Sequence, residues 1–259
     1  MNERTASYLD VLHQLGLFPA AALAAFVVGS TARGWAHRTS DVDLVVVTDT
    51  PFSDDRLLDL EVPLDPGTVS VAPVGHDGRR WEVKYWLDSQ VDQLFDKVGW
   101  DVFETGRQTA DRLSPVERLF LARLGYCVPL CGQEWIDDHR GRLDTSAFRP
   151  IMISYALAMA DRAVEAAVGQ LDAGNVEDAV LLARGAFEAA TDALVFDRGD
   201  YEAGRKWRAK RFRAAAPRLV TFDQYWSVLS MRTFDPANPR KWIDMVLELC
   251  QAVSLEIEL

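Results

Sequence analysis

The sequence predicts an α+β protein: a small mixed β-sheet domain with flanking helices, followed by an all-α helical-bundle domain. Three observations lead there. Short apolar runs rich in β-branched residues are concentrated before about residue 87. Segments whose apolar residues recur at three and four positions dominate after about residue 110. The chain has 259 residues, 49% hydrophobic and 26% charged, enough for two modest cores. Strands and helices segregated along a chain mark α+β architecture. The expected domains are residues 1–110 and 111–259.

The elements follow in order. Residues 4–16 read as a helix with Tyr8, Val11, Leu12 and Leu15 on one face. "AALAAFVVG" suits helix or strand by periodicity, and the Val27-Val28 pair before Gly29 favours a strand ending near 28. "DLVVVTD" (43–49) is a compact apolar run, hence a strand buried on both faces. Residues 49–66, rich in Asp and Pro, read as a loop with one short helix at most. "TVSVAPVG" and "RRWEVKYWL" flank Asp77-Gly78, a strong hairpin signal. "DSQVDQLFDKV" opens a helix with Asp88 or Ser89 as N-cap. "SPVERLFLARLGYCVPL" places Ser114, Pro115 and Glu117 as cap, first helical residue and capping-box acid. Two long helices follow, over "LDTSAFRPIMISYALAMADRAVEAAVGQLDAG" and "NVEDAVLLARGAFEAATDALVFDRG". The second is capped by Asn175, Gly174 and Gly199 are the stops, and the pair reads as an antiparallel hairpin. "NPRKWIDMVLELCQAVSLEIEL" is a last amphipathic helix.

Composition narrows the function. A net charge of -11 disfavours gripping long nucleic acid and suits small cationic or neutral partners. Three cysteines without framework spacing point to a reducing compartment. Cys127 and Cys131, with only His139 near, read as buried structural thiols more readily than as a metal site. No apolar run approaches the ~20 residues of a membrane span, and the acidic, amphipathic N-terminus is unlike a signal peptide. The expectation is a cytoplasmic protein.

The informative stretch is "FVVGSTARGWAHRTSDVDLVVVTD". Residues i and i+2 of a strand share a face, so Asp41 and Asp43 project together. Two neighbouring carboxylates repel unless a cation intervenes. Oxygen ligands suit Mg²⁺, which takes one or two carboxylates and completes its shell with water and substrate phosphate. Gly29 lets the backbone approach a ligand, and the turn after it offers N–H groups to an anion. Acids that hold a metal, facing an anion cradle, are the tools of phosphoryl or nucleotidyl transfer.

These residues resemble the signature of the DNA polymerase beta nucleotidyltransferase superfamily: Gly-Ser, ten residues, then Asp-x-Asp. "VVGSTARGWAHRTSDVDLVVV" is similar to its small bacterial branch, which includes minimal nucleotidyltransferase domains and antibiotic-modifying enzymes such as kanamycin nucleotidyltransferase. Gly29 and Ser30 match the turn, Arg33 and Gly34 a common continuation, and Ser40, Asp41 and Asp43 the Ser-Asp-x-Asp. The likeness covers about 25 residues closely and about 90 loosely. It implies two Mg²⁺ ions, an NTP co-substrate (ATP) and a third carboxylate on a later strand. Glu82 takes that place, sharing a strand face with Arg80, Lys84 and Trp86. The alternative for Glu82 is a salt bridge with Lys84 or Arg80, and Asp77 and Asp88 are the fallback acids. By this resemblance Asp41, Asp43 and Glu82 are catalytic metal ligands, and Gly29, Ser30, Arg33, Ser40 and Lys84 bind the nucleotide. Arg33 as a surface cation capping local carbonyls, and His37 as an ordinary loop histidine, are the plainer readings.

The helical half, residues 140–259, contains no histidine, which excludes the Arg/His signature of a HEPN-type ribonuclease. Its layout resembles the helical domain of antibiotic nucleotidyltransferases, which lines the acceptor site and often dimerises. "DRGDYEAGRKWRAKRF" gathers Lys206, Arg208, Lys210, Arg211 and Arg213 among aromatics. Lys206 is the candidate phosphate contact, against a solvated face with aromatic anchors. Glu188 is the candidate acceptor base, against a structural acid paired with Arg184. The expectation is transfer of an NMP to a hydroxyl of a small molecule, an antibiotic or natural product, by a homodimer. The alternatives are a toxin–antitoxin component that nucleotidylates a protein, and an RNA-end nucleotidyltransferase. Length weighs against the first and the acidic pI against the second.

Overall fold

The computed structural model describes residues 3–106 and 112–257. The described residues divide into two compact units, one ending at Ala147 and one beginning at Phe148. The boundary expected near residue 110 lies outside the described residues. The mixed sheet followed by helices is the α+β class expected.

The first unit opens with α1 (Glu3–Gln14), β1 (Ala22–Val28) and the single-turn α2 (Gly29–Ala32). β2 (Val42–Thr48), β3 (Leu58–Glu61), β4 (Thr68–His76) and β5 (Arg79–Leu87) follow. Next come α3 (Asp88–Lys97), α4 (Trp100–Glu104), α5 (Pro115–Leu124), β6 (Val128–Cys131) and α6 (Gln133–Thr145). The six strands lie in the order β3-β4-β5-β2-β1-β6. Among the described strands, only the central β2–β5 pair is parallel. The β4–β5 hairpin turns at Asp77-Gly78, with φ of 50° and 68°, the double positive φ that a type I′ turn requires.

Strand alternation gives the sheet two faces with different work. Val42, Leu44 and Val46 of β2, and Trp81, Val83 and Tyr85 of β5, bury one face in a core shared with Leu12 and Leu17. Tyr8 and Val11 of α1, with Leu15 just past its end, pack against that core, the face that the sequence marks. The other face carries Asp43, Val45 and Val47 beside Glu82, Lys84 and Trp86. Phe120 of α5 covers it, with ring centroids 4.5 Å from Trp86 and 6.4 Å from Phe26.

Helix α5 is anchored at its start. Ser114 Oγ accepts from Glu117 N at 3.3 Å, and Glu117 returns a bond to the Ser114 N–H, so the capping box forms as the sequence predicts. Glu117 is fully buried and pairs with Lys97 of α3.

Three elements differ from the sequence reading. β3 replaces a loop; it is a mostly exposed edge strand whose Leu-Asp-Leu-Glu alternation runs for only four residues. β6 replaces the tail of a helix; it is short, carries Pro129 and pairs only with β1, a place an edge strand allows. α6 is a separate polar helix, ending before α7 (Phe148–Asp172) begins. The cap of α3 also moves: Leu87 is the N-cap residue, and its N–H donates to Gln90 Oε1 at 3.0 Å.

The second unit is helical: α7, α8 (Val176–Asp197), α9 (Arg208–Ala215), α10 (Phe222–Leu229) and α11 (Pro239–Glu256). Asn175 precedes α8 and Gly174 and Gly199 adopt φ of 82° and 84°, as the stop signals require. Fully buried Ala179, Ala183, Ala186 and Ala190 let α8 pack closely on its neighbours, with Trp242, Ile243 and Val246 of α11 in the same core. Cys127 and Cys250 are buried free thiols, and burial pushes their pKa values up to about 11 and about 12. Among the described residues, no helix is long and apolar enough to cross a membrane.

Candidate active site

β1 ends at Val28, and the chain turns at Gly29, whose φ is 64°. A side chain there would be strained by the backbone and would also drive its Cβ into Asp43 Oδ2. Gly29 is thus required twice, once by the turn and once by the carboxylate packed against it. Ser30 follows, buried in the first turn of α2. The loop that leads to β2 closes on Ser40. Its Oγ accepts from His37 N at 2.9 Å, its N–H donates to His37 O at 2.9 Å, and Arg79 donates twice to its carbonyl at 3.2 and 3.0 Å. Ser40 therefore sets the angle at which Asp41 and Asp43 leave the loop. His37 bonds Thr39 within the same loop.

Asp43 and Glu82 are register partners on the parallel strands β2 and β5. Residues paired in register point to the same face, so the two carboxylates stand side by side. Exposed Asp41 lies just before β2, outside the strand, so the alternation expected to bring it beside Asp43 does not reach it. Cations attend them. Lys84 hydrogen-bonds Glu82, Arg80 Nη2 lies 3.7 Å from it, and Arg123 Nη1 lies 3.8 Å from Asp43 Oδ1. Burial raises the Asp43 pKa above the ordinary carboxylate value, against the pull of Arg123 and Lys84. Burial also lifts Glu82, but the bond and charge of Lys84, with Arg80 and Arg123, outweigh it and leave Glu82 below its ordinary value. As placed, with lysine and arginine among the acids, no three Asp, Glu, His or Cys side chains among the described residues form a metal-binding group. The salt-bridge partners foreseen as the plainer alternative for Glu82 are both present.

The fallback acids are otherwise engaged. Asp77 sits exposed at the hairpin tip near His76. Asp88 accepts from Trp135 Nε1 at 2.7 Å, tying α6 to the start of α3. The Arg33 guanidinium lies 3.7 Å from the Tyr126 ring centroid and 5.0 Å from that of Trp35. Arg123 and Tyr126 escaped the sequence reading, because their approach depends on how α5 folds back over the sheet.

The segment carrying these features has known relatives. Residues 14–107 match the nucleotidyltransferase domain family. The match spans Gly29, Ser30, Asp41, Asp43 and Glu82, and it supports nucleotidyl transfer as the class of chemistry. The nucleotidyltransferase domain match ends before α5, so the helix bearing Arg123 lies beyond it. A solved structure of a nucleotidyltransferase-like protein from Exiguobacterium sibiricum is similar in fold. Its TM-score is 0.51 at 12% identity, over 96% of this chain and 74% of that one. No curated protein matches the chain significantly.

Two sequence candidates lie in the second unit. Glu188 accepts from Arg208 Nη1 at 2.8 Å, not from Arg184, and Arg208 also donates to Asp192 Oδ2 at 2.5 Å. Lys206 is exposed, its ammonium 5.6 Å from the Trp207 ring centroid. Arg211, only 2% exposed, donates to Asp200 Oδ1 at 3.1 Å, so the basic cluster is partly internal.

Proposed function

We propose that the protein transfers an NMP, AMP from ATP, to a hydroxyl of a small molecule such as an antibiotic or other natural product. The acceptor oxygen bonds to the α-phosphorus, the bond from that phosphorus to the bridging oxygen breaks, and pyrophosphate and a proton leave. The observation that carries this reading is the pairing of Asp43 with Glu82 beside Gly29, inside a segment that matches the nucleotidyltransferase domain.

The donor set fits magnesium. Asp41 and Asp43 offer only oxygen, the absence of a side chain at Gly29 admits the Asp43 carboxylate against the turn, and a desolvated carboxylate gains from a divalent partner. Glu82 would join a second ion on parting from Lys84. When bound, magnesium neutralises phosphate charge and lowers the pKa of the attacking hydroxyl. The chain's own groups do the rest. Ser30 and the backbone after Gly29 meet the outer phosphates, Arg33 supplies charge from its seat on Tyr126, and Ser40 fixes the carboxylates. Lys84, released from Glu82, is the further phosphate contact in this reading.

The test incubates the protein with each labelled NTP, Mg²⁺ or EDTA, and a panel of hydroxylated acceptors, and follows pyrophosphate release. Turnover that needs the metal and vanishes in the Asp41→Asn/Asp43→Asn double variant is expected. Undiminished turnover in that variant would remove the mechanism. Label appearing on protein or RNA instead of a small molecule would transfer the reading to those acceptors.

A further inference from the structure

Beside the carboxylates lies a cavity of about 200 Å³ between the sheet and α5. Its floor continues the acid-bearing face. Asp43 pairs with Glu82, two residues on Val45 pairs with Lys84, and two further on Val47 pairs with Trp86. Val45, Lys84 and Trp86 line the cavity. Its roof is one face of α5: Val116, Leu119, Phe120 and Arg123, at i, i+3, i+4 and i+7.

The cavity is therefore polarised. Its walls are aliphatic and aromatic, while its two cations, Lys84 and Arg123, are the same side chains that attend Glu82 and Asp43. An occupant with one apolar and one oxygen-bearing end would seat the first against Trp86 and Phe120 and turn the second toward the acids. The size suits a single ring, since a dry cavity of roughly 150 Å³ holds benzene. Aromatic walls add edge or offset-stacked contacts to simple burial. Trp86 also carries a buried indole N–H with no hydrogen-bond partner among the described residues; it lies within the wall and not on the cavity surface, and it reports on what packs against the ring. A polyamine sugar fits poorly: it would lose hydration against apolar walls and meet two like charges.

We infer that this cavity holds the apolar group of the acceptor, so that the substrate class is a neutral or anionic aryl alcohol. The inference rests on the transfer reading above and narrows it.

The test uses the full-length protein with indole-¹⁵N tryptophan and follows the Trp86 signal, assigned through Trp86→Phe, as benzyl alcohol is titrated. A saturable shift is expected. Leu119→Trp and Val116→Phe, both at partly exposed roof positions that would fill the space, should weaken it at least tenfold. A non-hydrolysable ATP analogue with Mg²⁺ should bind these variants as it binds the parent. No response at Trp86 overturns the inference, and so does loss of the ATP analogue in Leu119→Trp, which would assign the cavity to the base. Pyrophosphate release separates the two readings. Turnover with an aminoglycoside but neither binding nor turnover of aryl alcohols sinks the cavity assignment alone. A bound aryl alcohol with no turnover of any NTP sinks the transfer reading and, with it, the acceptor role.

Discussion

Asp43 on β2 and Glu82 on β5 stand opposite one another in parallel register, with Lys84 bonded to Glu82 and Arg123 near Asp43. If this pair organises the transfer, Asp43→Asn and Glu82→Gln should each lower NTP turnover by on the order of 10² to 10³. Both variants should keep the far-UV circular dichroism of the parent. Full activity in either one would leave its carboxylate without a catalytic role.

Gly29→Ala should act on fold and chemistry together. Left-handed backbone at a non-glycine residue costs roughly 1–2 kcal/mol, and the new Cβ presses on Asp43 Oδ2. The expected outcome is that stability loss with more than a tenfold drop in turnover. Gly174→Ala is the control: φ is 82° and nothing lies within 4 Å of its Cβ. It should lose similar stability and keep its turnover. Equal turnover in the two variants would show that the contact with Asp43 is unimportant.

Glu117 tests the seating of α5. It is fully buried, caps Ser114 and pairs with Lys97. Glu117→Ala removes both partners and should cost about 2–4 kcal/mol in urea unfolding, the lower end reflecting an ammonium that can still reach water. Glu117→Gln keeps an acceptor for the Ser114 N–H and should cost less than half as much. Equal costs would assign the whole effect to charge.

Asp192 predicts a pH dependence in the helical unit. Burial raises its pKa to about 6, against the pull of Arg208 and Arg211 and with help from Glu188 and Asp200; Tyr225 of α10 belongs to the same network. A folded pKa above the ordinary carboxylate value of 3.8 means that the folded chain holds this proton more tightly. That contribution is complete below about pH 4 and is lost as pH rises through about 6. Relative to Asp192→Asn, the parent should therefore lose about 2–3 kcal/mol of stability between pH 4 and pH 7. Parallel stability curves for the two proteins would contradict the assignment.

Local signals in the sequence were strong where one residue type has one physical use. The Asp77-Gly78 turn, the Ser114–Glu117 cap and the glycine stops around α8 all form. The elements that the sequence hid are short, exposed or polar. β3 is exposed along most of its length, β6 is four residues with a proline, and α6 is largely polar. Such segments are held by their neighbours in the fold, so periodicity cannot reveal them.

By itself, the sequence determined the α+β class and the strands that bear Asp43 and Glu82, because side-chain alternation along a strand is a local property. Tertiary structure alone decided that β2 and β5 are neighbours in parallel register, that Arg123 returns to Asp43, that Arg208 rather than Arg184 holds Glu188, and that a polarised cavity opens beside the acids. Those are contacts between residues far apart in the chain. They follow from which apolar faces bury one another, and no short stretch of sequence contains that choice.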